Sequence, residues 1–170
     1  MKITRLLLIG AFALATTTVH AQEFECPKNY TLVAAEDYTK YEKDIIAAAN
    51  WLKATPLDEQ AQKRAEVSKF VMQWINGSPT VNVEITPAIM DFEKKNPGML
   101  TIYMASSARF VLENKYSKDK RAKYKTALID LMTVYKSGKG IKKDKNMEEL
   151  IKSIESGKMD EWLKENLATE

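Results

Sequence analysis

Eleven lysine and arginine side chains fall between residues 115 and 145 against three acids, so this stretch carries a net charge of +8. Residues 22–114 hold 10 basic and 13 acidic side chains and residues 146–170 hold 3 and 7, which flanks the basic stretch with segments of −3 and −4. Lys115, Lys118, Lys120, Arg121, Lys123 and Lys125, with Lys136, Lys139, Lys142, Lys143 and Lys145, bracket one helical pattern at both ends. Cations gathered this way attract anions in a salt-dependent manner, and the candidate partners are an anionic polysaccharide, lipid headgroups or an acidic protein. The plain alternative is a solvated face whose charge is answered by the acidic C-terminal helices folding back across it. Arg109 also stands out, because a guanidinium within an apolar helix is costly without a partner. Either it anchors an anion in a pocket, with Ser106 and Tyr103 beside it and Glu113 orienting it, or it forms an i,i+4 pair with Glu113 while its stem packs on the core.

Missing residue types narrow the remaining chemistry. His20 is the only histidine and Cys26 the only cysteine. His20 lies in a segment that reads as removable, so the mature chain has no Ser-His-Asp or Cys-His machinery, no imidazole base and no His-ligated zinc. A single thiol forms neither an intramolecular disulfide nor a thiolate cluster. Cys26 is then free, paired between chains or lipidated, and Phe24-Glu25 replaces the small apolar residues that a lipobox needs. Ser117-Lys118-Asp119-Lys120 matches S-x-x-K by chance within a lysine-rich run, with no companion triplet. Gly138-Lys139-Gly140 follows a helix where a P-loop follows a strand. Asp144, Asn146 and Glu148 resemble part of a calcium loop, but Glu149 stands where the turn glycine belongs. No cofactor or metal is called for. Paired carboxylates can still meet in space for hydrolysis, although no spacing singles out a pair. Trp51, Trp74 and the methionines sit at helical positions, where they fill cores more often than ligand pockets.

The elements that must position these residues are helical. Tyr38, Tyr41, Ile45, Ala48, Ala49 and Leu52 predict a first helix over about 37–54. Thr55-Pro56-Leu57-Asp58 then opens a second, with the Thr hydroxyl as cap and Pro where its missing N–H is harmless. Val67, Phe70, Val71, Trp74 and Ile75 carry that helix to Asn76, where Gly77 supplies a left-handed stop. Within residues 80–86, Val81, Val83 and Ile85 alternate with polar residues, which predicts a strand paired with Tyr30–Val33 or an irregular loop pinned by its valines. Thr86-Pro87 and Asn96-Pro97 repeat the capping device for helices to about 95 and over about 97–116. The latter is apolar around most of its circumference and is read as the buried centre, with Ala105, Ser106, Ser107 and Ala108 as a small-residue waist. A helix over about 119–137 stops at Gly138, and two short helices use Met147 to Ile154 and Met159 to Leu167.

The first twenty-one residues read as an export signal. Lys2 and Arg5 form a basic start, Leu6 to Ala15 an apolar core too short to span a membrane, and Val19-His20-Ala21 a cleavage site before Gln22. The remaining 149 residues are enough for one domain that buries roughly 68–70% of its unfolded surface. They carry 24 basic and 23 acidic side chains, a net +1 that gives no global pull toward nucleic acid.

Trp51-Leu52 with Thr55-Pro56-Leu57, then Trp74-Ile75-Asn76-Gly77-Ser78-Pro79, Asn96-Pro97 and Gly138-Lys139-Gly140 with Lys143-Asp144, behind a signal peptide, resemble exported all-helical proteins of Bacteroidetes-type bacteria with no assigned activity. The resemblance spans most of residues 38–155 and implies a periplasmic or secreted protein. The expectation is therefore an all-α, single-domain bundle of six to seven helices over residues 37–170, behind an extended segment at 22–36. Its leading function is a non-enzymatic binding module. Its ligand residues would be Lys115, Lys120, Arg121, Lys123, Lys139, Lys142, Lys143 and Arg109. The alternative is a carboxylate-dependent hydrolase acting on envelope material.

Overall fold

The computed structural model describes residues 24–167, and among these the chain is all-helical, with no strand. The export signal and its Ala21–Gln22 junction lie outside the described residues. Eight helices follow one another: α1 (Ala35–Lys40), α2 (Glu42–Ala54), α3 (Ala61–Gly77), α4 (Pro87–Lys95), α5 (Met99–Glu113), α6 (Lys120–Ser137), α7 (Lys145–Glu155) and α8 (Met159–Asn166).

Helix α5 packs most extensively on α6 and α2, and also touches α3 and α4. It buries Met99, Ile102, Tyr103, Met104, Ala105, Ser106, Ser107, Ala108 and Val111, so its small-residue waist is wholly enclosed. Facing it, α2 buries Ile45, Ala48, Ala49, Trp51 and Leu52, and α6 buries Tyr124, Ala127, Leu128, Leu131 and Val134. Alanines at 48, 49, 105, 108 and 127 let the three backbones approach closely, which favours close packing at this junction.

Several local expectations are corrected by tertiary contacts. The helix predicted over 37–54 breaks at Tyr41, which gives one helix more than expected; the Tyr41 ring packs edge-on against Phe70 at 5.9 Å and Tyr30 at 6.3 Å. Thr55-Pro56 does not open the next helix. Arg64 is buried and draws the carbonyls of Thr55 (2.5 Å) and Pro56 (2.8 Å) onto its guanidinium, so residues 55–60 form a turn and α3 starts only at Ala61. Arg64 also reaches the Leu52 carbonyl at 3.5 Å, one that the end of α2 leaves open. Asn96 does not cap α5 either: its amide clamps the backbone of Lys142, donating to the carbonyl at 2.9 Å and accepting the N–H at 2.7 Å. The Glu93 carboxylate takes over, accepting the N–H groups of Gly98 and Leu100. Gly77 is the last residue of α3, with no left-handed backbone, and its missing side chain serves close approach instead, since a Cβ would lie 1.9 Å from the Tyr38 hydroxyl.

Residues 78–86 run as a loop with no ladder partner among the described residues. Three devices hold it. The Ser78 hydroxyl accepts the N–H groups of Thr80 and Val81, the Val81 side chain is buried, and the Tyr103 hydroxyl donates to the Glu84 carbonyl at 3.2 Å.

Candidate functional site

The acidic helices α7 and α8 answer much of the basic segment. Asp160 receives both Arg121 and Lys125 at 2.5 Å, and these two cations hold its carboxyl well down, at about 2. Lys136 pairs with Glu155, Lys143 with Glu148 at 3.6 Å, and Lys145 with Glu149 at 3.6 Å. Asp144 caps α7, accepting the N–H groups of Asn146 and Met147. Among the described residues, Lys115, Lys118, Lys139 and Lys142 make no ion pair through their side chains. Lys139 and Lys142 lie on the α6–α7 loop, away from Lys115 and Lys118, which belong to the α5–α6 corner.

Arg109 is joined to groups of the chain itself. Its guanidinium donates to Asp130 Oδ2 at 2.7 Å and to Asn50 Oδ1, with the more exposed Glu113 3.8 Å away. Asp130 is buried and also takes Lys53 at 2.5 Å. Helices α2, α5 and α6 are thus pinned by a charge cluster in which the carboxylate meets two cations. Such a cluster orients helices; as a site for an external anion it is already occupied by Asp130.

Lys123 has a different setting. It occupies the first turn of α6, in register with Ala127, Asp130 and Val134 on the inward face, and only 7% of its surface is exposed. Its Nζ donates to the Asn82 carbonyl at 2.6 Å and lies 4.6 Å from the centre of the Tyr124 ring. Burial pushes its pKa down, Lys120 and Lys118 add to that by repulsion, and Glu84 opposes it.

A cavity of about 450 Å³ opens beside this amine. The loop contributes Thr80, Asn82 and Glu84; the α5–α6 corner and α6 contribute Ser117, Lys118, Lys120, Lys123 and Tyr124. Tyr124 stacks on Tyr103, with centroids 6.2 Å apart and planes at 17°, and its hydroxyl stands 3.5 Å from the Glu84 carboxylate. Burial raises both phenols above their usual range, so they remain protonated donors at neutral pH. The corner itself is tightly made. Lys115 and Tyr116 take left-handed conformations, and the Tyr116 N–H closes back on the Val111 carbonyl at 2.8 Å. Left-handed backbone at two successive non-glycine residues is uncommon and carries strain.

Of the residues that sequence reasoning singled out, Lys120 and Lys123 meet at this cavity, joined by Lys118. Lys115 is exposed at the adjoining turn, Arg121 is held by Asp160, Lys139, Lys142 and Lys143 are exposed near α7, and Arg109 is in the buried cluster. Thr80, Asn82, Glu84 and Tyr124 were not singled out as site residues. The signal was present in part, since Lys123 and Asp130 interrupt the apolar stripe of α6 at positions a bundle buries.

Acids in other clefts already have partners. In a groove of about 800 Å³ between residues 25–30 and α3, Glu25 pairs with Lys63 at 3.3 Å and Glu66 receives the Gln62 amide. In a cleft of about 160 Å³ beside Phe92 and Trp162, Asp91 pairs with Lys94 and Glu149 with Lys145. Cys26 lines the larger groove half-buried, and burial, with nearby Glu66, Asp44 and Glu25, keeps its thiol protonated. Phe24, two residues ahead of it, is buried in the core. No group of three or more metal-ligating side chains gathers among the described residues, and none of their helices is long and apolar enough to cross a membrane. Comparison with protein-family models, curated proteins and solved structures finds no match.

Proposed function

We propose that this chain is an exported binding module that holds a small anionic group, a carboxylate, sulfate or phosphate on a sugar or lipid head, at the corner between α5 and α6. The observation that carries this reading is the convergence of Lys118, Lys120 and Lys123 on one cavity whose lining includes a single carboxylate, Glu84. A concave site with low-dielectric walls concentrates the field of its cations, and the hydroxyls of Ser117 and Thr80 add neutral donors for anion oxygens. Elsewhere in the basic segment Arg121, Lys125, Lys136, Lys143 and Lys145 face acids of α7 and α8, and Lys115, Lys139 and Lys142 are exposed and do not line this cavity.

Retention on heparin at low salt tests the site. The double variant Lys118→Ala/Lys120→Ala should elute at clearly lower salt than the parent, while Lys139→Ala/Lys142→Ala should elute close to it. Equal losses from the two variants, or a parent that is not retained, would remove the reading. Export is tested separately by the N-terminus of protein recovered from the envelope fraction, which should begin at Gln22. A species that retains Met1 and is confined to the cytosol would sink the location.

A further inference from the structure

We infer that the α5–α6 cavity takes carbonyl-bearing anions and holds them covalently but reversibly, with Lys123 Nζ forming an imine to an aldehyde or ketone whose acidic group rests on Lys118 and Lys120. This deepens the anion-site reading and depends on it.

The geometry supplies three requirements. First, the amine is fixed: Nζ is anchored to the Asn82 carbonyl at 2.6 Å and lies over the Tyr124 ring, and Asn82, Lys123 and Tyr124 all line the cavity. An ammonium offers three N–H groups to this pocket, and one carbonyl meets them, whereas a neutral amine keeps that one bond and presents a lone pair. Second, burial and the neighbouring Lys118 and Lys120 favour the neutral amine, against the opposing pull of Glu84, and a neutral amine is the nucleophilic form. Third, Tyr124 and Glu84 stand side by side at 3.5 Å on the same cavity, a phenol and a carboxylate that can carry protons during the addition. The step balances without an oxidant or reductant. The Nζ lone pair forms the C–N bond while the carbonyl π pair moves to oxygen; the two amine protons pass to that oxygen, which leaves as water as the C=N bond forms.

Lys53, half-buried on α2, does not offer this arrangement. Its ammonium is tied to Asp130, while Lys123 has no carboxylate within ion-pairing distance among the described residues.

The test uses the folded full-length protein with pyridoxal 5′-phosphate, an anionic aldehyde, followed by cyanoborohydride trapping and peptide mapping. Lys123 should be labelled ahead of exposed Lys115 and Lys139, inorganic phosphate should slow the labelling, and uncharged pyridoxal should react more slowly. Lys123→Arg should lose the trapped label. Lys118→Ala/Lys120→Ala should lose the preference for the phosphorylated aldehyde. Label spread over exposed lysines with Lys123 unmodified in the parent would overturn the imine, and this mapping decides even if the Lys123 variant fails to fold. Heparin retention that survives such a result leaves the anion site standing, so the two readings fail separately.

Discussion

Lys123 and Asp130 lie seven residues apart on one face of α6, about two helical turns, and both are buried. Asp130 is met by two cations, Arg109 from α5 and Lys53 from α2, and closes a network that joins three helices. Lys123 is met by one carbonyl from a loop and by the face of a ring, beside an open cavity. The first arrangement matches charge with charge and excludes other ligands. The second leaves a buried amine beside space, where binding or reactivity can reside. The contrast arises from what stands opposite each residue. Facing Asp130 is packed helix; facing Lys123 is the irregular segment 78–86, whose backbone carbonyls point to neighbours because no strand claims them.

The largest expected effect comes from breaking the closed end. Asp130→Ala leaves Arg109 and Lys53 without their shared carboxylate inside the bundle and should destabilise the protein by about 3–5 kcal/mol in chemical denaturation. A loss below about 1 kcal/mol would mean that water reaches the cluster and that it is a surface pair. Next comes the scaffold between the two sites. Ala105 and Ala108 are fully buried on α5, and Ala105→Leu or Ala108→Leu should cost roughly 1–3 kcal/mol by overpacking. If both variants melt like the parent, α5 does not hold the two sites in a fixed relation.

Lys123→Met should have a smaller effect, within about 1 kcal/mol of the parent, because the apolar stem is retained and only one hydrogen bond to a carbonyl is lost. A loss as large as that of Asp130→Ala would make Lys123 a structural cation and erase the contrast. The smallest effect concerns Asp160, the exposed acid that answers Arg121 and Lys125. Its carboxyl is lowered from 3.8 to about 2 in the folded protein, so its stabilising contribution is present above about pH 4 and fades as pH falls toward 2. Thermal denaturation of the parent and of Asp160→Asn should therefore differ slightly at neutral pH and converge by about pH 2. A difference that persists there would assign the effect to packing of α8.

Helical periodicity and part of the proline and glycine punctuation were readable along the chain, because they depend on neighbours a few residues apart. The circumferential apolarity of Met99–Glu113 belongs to this class, as does the stop at Gly138, whose φ is 70°. The break at Tyr41, the delayed start of α3 and the work of Asn96 were not readable, since each is decided by a side chain distant in sequence: Phe70 and Tyr30, Arg64, and the backbone of Lys142. The same limit applied to the candidate site. Charge counting found the basic segment, and its local spacing treated Lys123 as one cation among eleven. Only the packing of α6 against α5 and the 78–86 loop separated this lysine from those that face solvent or the acids of α7 and α8. Burial, cavity and partner are properties of what lies across the fold, and for Lys123 that is Asn82, forty-one residues earlier in the chain.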